Sequence, residues 1–439
     1  MSRQVVTVDA LVVGAGPAGL AAATALRSGG AGIVVVLERE DEAGGTPRLC
    51  EHTGFGLRDL RRVLSGPAYA RRWVERAVAS GADIRTRTMV TGWAAPGRAE
   101  VTGPGGVLEM EARTIVLATG ARERPRAARL VPGTRPSGIF TTGQLQQWVY
   151  RERLPVGRRA VIVGAEHISY SAAMTLRHAG VHPVALVTEL PRPQSYRLFD
   201  LLGRYGLRVP VWTGTSVAGV YGRDRLETVL VRGPGGDERS VTADTIVFTG
   251  DFIPDSELAR LAGLAIDPGT RGPACTAEGV TTAPGIFAAG NVVHPAEIAD
   301  VAARRGLSVG QAAAAWLRQG ADPGTWSPTV PVRVADPLHW VVPNRADPAR
   351  VPGRGGSGTV LLRSRVFLDH PRVVVTQGGR VQASYRLRRL IPNRSHAIPS
   401  GWRAHLRPGE DVLISVVTSE PGSSPSGRRT RPRSGSPCP

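Results

Sequence analysis

Gly14, Gly16 and Gly19 lie in the run DALVVGAGPAGL (9–20). Before them is an apolar, strand-like stretch from Val5 to Val13. After them is a helix-like stretch from Pro17 to Arg27. The chemistry this spacing serves is the holding of a dinucleotide pyrophosphate. Gly14 permits the tight turn, Gly16 lets a phosphate approach the backbone, and Gly19 lets helix and strand pack closely. Pro17 and Ala18 open the helix, whose first N–H groups and positive dipole end face the phosphates. Glu38 closes the next apolar run, IVVVLE (33–38), 24 residues after Gly14. A carboxylate placed there accepts from a ribose hydroxyl pair, and Arg39 follows it.

A second stretch has the same order but different residues. GAEHIS (164–169) follows the apolar Ala160–Val163 and precedes a helical Ala172–Ala179. Glu166 and Ser169 take the places of the second and third glycines. A carboxylate beside a pyrophosphate in a partly dry site costs several kcal/mol, and a side chain there also blocks the approach. Two readings stay open. In one, the loop no longer takes a nucleotide, and the unit serves as scaffold or docking surface. In the other, the nucleotide shifts, or Arg177 and His178 compensate. The following strand, Val184–Val187, ends in Thr188-Glu189 with Arg192 beyond; these suit a ribose and a 2′-phosphate, or an ordinary charged surface.

The thiols are Cys50, Cys275 and Cys438, with no C-x-x-C pair and no disulfide framework. Cys50 precedes Glu51-His52. A thiolate there, its pKa lowered by the histidine, is a partner for peroxide or a disulfide. The alternative is a small buried hydrophobe. His52 is either an acid–base group or a turn histidine bonded to backbone.

The chain has 439 residues, 41% of them hydrophobic, enough for two or three domains with sizeable cores. Its net charge is +19, and every Lys or Arg is Arg. The arginines are spread along the chain and no nucleic-acid module is visible, which weighs against a nucleic-acid partner. No apolar run is long enough to span a bilayer, and a strand beginning at Val5 leaves no room for a signal peptide. The expectation is a cytoplasmic protein.

Two later segments carry a resemblance. TIVLATGARERP (114–125) is a strand running into Ala118-Thr119-Gly120. TTAPGIFAAGNVVHPAEIADVAARRG (281–306) is a strand, a Gly290-Asn291 turn and a helix. With the two loops, over about residues 5–320, they resemble the FAD-dependent pyridine-nucleotide oxidoreductases with two dinucleotide-binding domains, of which thioredoxin reductase is the compact example. The resemblance implies FAD at Gly14, Gly16, Pro17, Ala18, Gly19, Glu38, Arg39, Thr119, Gly120, Gly290 and Asn291. Asn291 stands where the family has an aspartate for the ribityl chain. The resemblance also implies NAD(P)H at the second domain, subject to Glu166. The family's dithiol positions fall here on Thr142 and Leu145, or on Pro47 and His52, so a two-thiol disulfide reductase is not expected. Cys50 and His52 follow the first domain, where the family puts flavin-facing residues, and are the candidate catalytic pair.

GGTPRLCEHTGFGLRDLRRVLSGPAYARR (44–72) and RPSGIFTTGQLQQWV (135–149) look like a branch associated with multi-subunit dehydrogenases. That branch includes subunits of opine and sarcosine-type amine oxidases and of hydrogen cyanide synthase, and flavoproteins accompanying glycerol-3-phosphate dehydrogenase. It implies a small amine, imino acid or polyol phosphate as donor. It also implies a partner, either a second dehydrogenase or an iron–sulfur subunit.

The expected fold is α/β: two Rossmann-like domains and a small C-terminal β-rich domain. The FAD domain spans 1–125 and 245–324, with the inserted domain at 126–244. A proline-punctuated linker covers 325–356, the β domain 357–418, and a disordered basic tail 419–439. VVVTQGGRVQASY (373–385) reads as a hairpin. The β domain is a packing or homodimerisation module, or a platform for a partner or substrate, with Trp326, Trp340 and Trp402 as anchors.

Overall fold

The computed structural model describes residues 4–196, 206–295, 297–349 and 359–417. The expected tail, 419–439, lies outside the described residues. The first sheet is mixed. Its parallel part runs Asp83–Arg85, Val34–Leu37, Val5–Val13, Gly106–Leu117, with Ile286–Ala288 also pairing on Gly106–Leu117. Two antiparallel strands, Arg98–Gly103 and Met89–Ala95, extend it. Val5–Val13 is central and its last residues are buried on both faces, which is why it reads as an unbroken apolar run.

Helix Pro17–Ser28 lies on this sheet, and helix Ala299–Arg318 lies on that helix. The two approach closely because small residues line the contact. A Cβ at Gly306 would stand 2.1 Å from the Ala18 carbonyl oxygen, and one at Gly310 2.3 Å from that of Ala22.

The second sheet is all parallel, in the order Ile139–Thr141, Thr245–Phe248, Arg159–Val163, His182–Val187, Val211–Trp212. Helix His167–His178 packs on one face and a three-stranded antiparallel sheet, 216–242, on the other. One expected boundary moves. The sequence pattern puts Thr245–Phe248 in the returning half of the first domain, but it is a central strand of this second sheet. Its apolar TIVF fits either sheet, and only long-range pairing decides.

The third unit is the expected β-rich domain, and it begins earlier than the sequence suggests. Val330–Val334 pairs in parallel with Val412–Val417, and Leu338–Val342 pairs with Thr359–Ser364. Residues 330–346 are therefore part of the sandwich rather than a linker. Their prolines sit at strand ends, where no ladder donor is needed. The five-stranded and three-stranded sheets share one core, with Trp402, Leu338, Val373 and Ile414 in it. The hairpin Arg372–Gln377/Arg380–Arg386 turns on Gly378 and Gly379, with φ of +54° and +72°.

Candidate functional site

Each glycine of the first loop does a different job. Gly14 has φ +105°, and a Cβ on it would reach the Ala118 carbonyl oxygen at 2.5 Å. A Cβ on Gly19 would stand 1.9 Å from the Gly14 carbonyl oxygen. These two are fixed by packing. Gly16 is not: a Cβ there would meet only the Gly45 Cα, at 4.0 Å. The space beside Gly16 is open, so a phosphate can approach the backbone there. Gly16 caps helix Pro17–Ser28 with extended backbone and no side-chain cap, so the first helical N–H groups remain for a ligand.

Glu38 is buried at the end of Val34–Leu37. Its Oε2 accepts the Ala15 N–H at 3.0 Å and its Oε1 the Glu40 N–H at 3.0 Å. Each carboxylate oxygen keeps a lone pair for a ribose hydroxyl. Thr119 donates to the Asp255 carbonyl at 2.6 Å, and the Gly120 carbonyl accepts the Asp255 N–H. Arg39 is exposed and reaches the Asp255 carboxylate at 3.5 Å. A Cβ on Gly290 would stand 2.6 Å from the Ala18 Cβ. The structure thus gathers the glycine loop, Glu38, Arg39, Thr119, Gly120, Gly290 and Asn291 around one end of the first sheet.

Asn291 makes two bonds to one residue. Its Nδ2 donates to the Glu297 carbonyl and its Oδ1 accepts the Glu297 N–H, both at 3.2 Å. It shapes the turn leading into helix Ala299–Arg318. Asp300, in that helix's first turn, accepts the N–H groups of Gly56 and Arg58, each at 2.9 Å. Sequence reasoning passed over Asp300. The signal was present, since an acid in a first helical turn complements the dipole.

Cys50 is buried, its Sγ 3.6 Å from the Gln146 Oε1. Burial pushes its thiol up to about 12, against the weaker opposing effect of Gln146. At neutral pH it is a thiol and no nucleophile. His52 is half-buried, bonded through Nδ1 to the Thr53 carbonyl at 3.0 Å and stacked on Phe55 at 5.3 Å. Cys50 and His52 thus have separate partners. Gln146 passes the contact on to Ser171 Oγ at 3.0 Å, linking the first domain to helix His167–His178. Thr142 and Leu145, the family's other thiol positions, are fully buried next to Gln146. Glu123, unremarked in the sequence, accepts from the first turn of the short helix Thr142–Gln146. Its Oε2 accepts the Gly143 N–H at 2.8 Å, and burial raises its carboxyl above the usual carboxylate range.

The second loop is closed by its own carboxylate. Glu166 Oε2 accepts the Ala165 N–H at 3.0 Å, and Oε1 accepts the Thr249 hydroxyl at 2.7 Å. Ala165 corresponds to Ala15, whose N–H is taken by Glu38 from the strand end. The residue 24 places after Gly164 is Thr188, not an acid. The carboxylate that serves the first loop from outside sits within the second. Ser169 Oγ lies 2.7 Å from Thr249 Oγ1, so the third glycine position is also tied inward.

The C-terminal domain contacts the segment that packs on this loop. The Gln194 and Ser195 N–H groups bond the Ala165 carbonyl. Arg394 donates to the Gln194 carbonyl and lies 4.2 Å over the Tyr196 ring, which packs edge-on against His167 at 4.5 Å. Burial, with Arg394 adding to it, lowers the His167 pKa to about 4. Arg192 pairs with Asp369 at 3.5 Å and stacks on Phe367. On its other side the β domain meets the first domain, through Arg363 to the Pro295 carbonyl and Asn344 to the Cys275 N–H.

Residues 8–312 match the model of the pyridine nucleotide-disulphide oxidoreductase family. The chain belongs to that family. The A subunit of opine oxidase from Agrobacterium tumefaciens (strain Ach5) is 28% identical over 331 residues, 67% of this chain and 64% of that protein. The ferredoxin reductase component of chlorobenzene dioxygenase from Cupriavidus sp. (strain PS12) is 36% identical over 189 residues, 41% of this chain and 43% of its own. The chain thus spans less than two thirds of the length of either relative. Among solved structures, T. acidophilum thioredoxin reductase superposes with a TM-score of 0.59 at 19% identity, covering 71% of this chain and 99% of that one.

The chain has two Rossmann-type domains plus the β domain, and the family's cofactors are FAD and a pyridine nucleotide. The first loop fits FAD: the open space beside Gly16, the free helix N-terminus and Glu38 match pyrophosphate and ribose. The second does not fit a pyrophosphate, because the Glu166 side chain stands where the first loop has Gly16 and brings a like charge. No helix among the described residues is long and apolar enough to cross a membrane. No group of three or more His, Cys, Asp or Glu side chains among the described residues could hold a metal ion.

Proposed function

We propose that this protein oxidises a small-molecule donor through FAD and passes the electrons to a partner protein, without drawing on NAD(P)H at its second loop. The donor class is an amine, an imino acid or a polyol phosphate. The observation that carries the reading is the Glu166 carboxylate folded onto the Ala165 N–H and the Thr249 hydroxyl. The β domain supports it, because Arg394 holds the 194–196 segment that bonds the Ala165 carbonyl of the loop. The second domain then serves as scaffold, bringing Gln146 to Cys50 and carrying the β domain.

Bound FAD would supply the two-electron acceptor. Gly14, Gly16, Gly19 and Glu38 hold its ADP half, and Asn291 sets the turn that aims helix Ala299–Arg318 at its ring end. Cys50 positions Gln146 and stays protonated. His52 and Glu123 are the titratable groups available to take a proton from a donor. Likeness to one subunit of opine oxidase and to a ferredoxin reductase component supports work within an assembly.

The test is a donor screen on the FAD-loaded protein under argon, following flavin absorbance. N-alkyl amino acids, their parent amines and glycerol phosphate would be offered singly. Bleaching by one class identifies the donor. If none bleaches and NADH or NADPH does, the reading is wrong and the protein is a nucleotide-driven reductase.

A further inference from the structure

A cleft of about 590 Å³ opens where the chain passes from the first domain to the second. Its walls come from residues 125–144, after Ala121–Glu123, which pairs with Phe252–Pro254, and up to Ile139–Thr141, the edge strand of the second sheet. The volume is that of a small-molecule site, and no residue of either phosphate loop lines it.

Arg126 and Arg135 both stand on its walls. Among the described residues neither guanidinium has an acid partner, whereas Arg122 and Arg124 pair with Asp255 and Asp251. Arg126 is held in place by carbonyls. Its Nε donates to Val131 at 3.0 Å, and its terminal nitrogens donate to Thr134 at 2.5 Å and Pro132 at 2.8 Å. Its remaining N–H groups are left for a ligand. Arg135 is exposed, with its whole fork available. Burial and the Arg135 charge both lower the Arg126 pKa, as expected of two cations that share a space without an anion. The rest of the cleft is largely apolar, with Val131, Ile139 and Phe140 in its lining. Phe140 is half-buried and braced edge-on by Trp148 at 5.8 Å.

We propose that this cleft binds an organic phosphate monoester with a flat, apolar body. Two cations without an acid call for close to two negative charges, which a phosphate monoester carries at neutral pH and a carboxylate does not. The guanidinium fork matches phosphate oxygens in shape as well as sign. Inorganic phosphate alone would leave the Phe140 side of the cleft unfilled, and a ring covers it. The three carbonyls have already fixed Arg126, so little side-chain freedom is lost on binding.

The experiment is a calorimetric titration of FAD-loaded protein, whose first loop is thereby filled. Phenyl phosphate is the probe, and benzoate and inorganic phosphate are the comparators. Phenyl phosphate should bind with a stoichiometry of about one and about tenfold tighter than either comparator. Arg135→Gln, a change at an exposed side chain that holds nothing in the fold, should weaken it by about tenfold. Phe140→Leu should weaken phenyl phosphate by about fivefold and leave inorganic phosphate unchanged. No binding at about 1 mM probe, benzoate or inorganic phosphate binding as tightly as phenyl phosphate, or an Arg135→Gln variant that binds like wild type would each overturn the proposal.

Discussion

Glu166 and Glu38 perform one job, accepting an alanine N–H in a phosphate loop, from two different places, and the difference decides which loop is open. Glu38 works from the neighbouring strand end and leaves the space over Gly16 free. Removing it, as Glu38→Ala, should weaken FAD binding by at least tenfold, about 1.4 kcal/mol, read by flavin release on dilution. Cys50 gives a second prediction at this scale. With burial raising Cys50 and Cys275 to about 12, neither should be alkylated by iodoacetamide in native protein at pH 8, and both should be after unfolding. Peptide mapping by mass spectrometry checks this. Labelling of native Cys50 would show an accessible thiolate and revive a nucleophilic role. The sequence named both candidate roles for Cys50. It could not choose, because its partner Gln146 is 96 residues away.

At the scale of elements, the glycine loops, their strands and their helices were legible because each follows from local pattern. Val5–Val13 and the helix from Pro17 appear where the apolar run and the proline place them. Two things were not local. Thr245–Phe248 joins the second sheet by pairing with Arg159–Val163, and the proline-rich 330–346 forms strands because Val412–Val417 pairs alongside. Both are long-range pairings that a window of sequence does not contain. The contact between helices Pro17–Ser28 and Ala299–Arg318 is likewise readable only in the structure, through Gly306 and Gly310. Gly306→Val, with Ala18 backbone 2.1 Å from the new Cβ, should destabilise by about 1–3 kcal/mol and loosen FAD, lowering the thermal midpoint. An unchanged midpoint would mean that the helices are less tightly joined than described.

The whole molecule is held by the β domain, which bonds the first domain through Asn344 and Arg363 and the second through Arg394 and Asp369. Its junction buries His294, whose pKa burial lowers well below 6.5, with Arg305 and Arg363 adding to the effect. The unfolded chain therefore binds a proton there that the folded protein refuses. Stability contributed at neutral pH falls as pH drops below about 6.5, by up to about 1.4 kcal/mol per pH unit for this one group. His294→Gln should flatten the fall in urea midpoint between pH 7 and pH 5, while an equal slope in wild type and variant would assign it to other groups. Through Arg394 the same domain also holds the 194–196 segment, whose Gln194 and Ser195 N–H groups bond the Ala165 carbonyl of the second loop.

The decisive measurement is an anaerobic titration of the FAD-loaded protein with NADH and NADPH, following flavin absorbance. The account predicts no bleaching at micromolar nucleotide, with dithionite still reducing the flavin fully. Rapid bleaching by either nucleotide would show that the Glu166 loop yields to a pyrophosphate, and would contradict it.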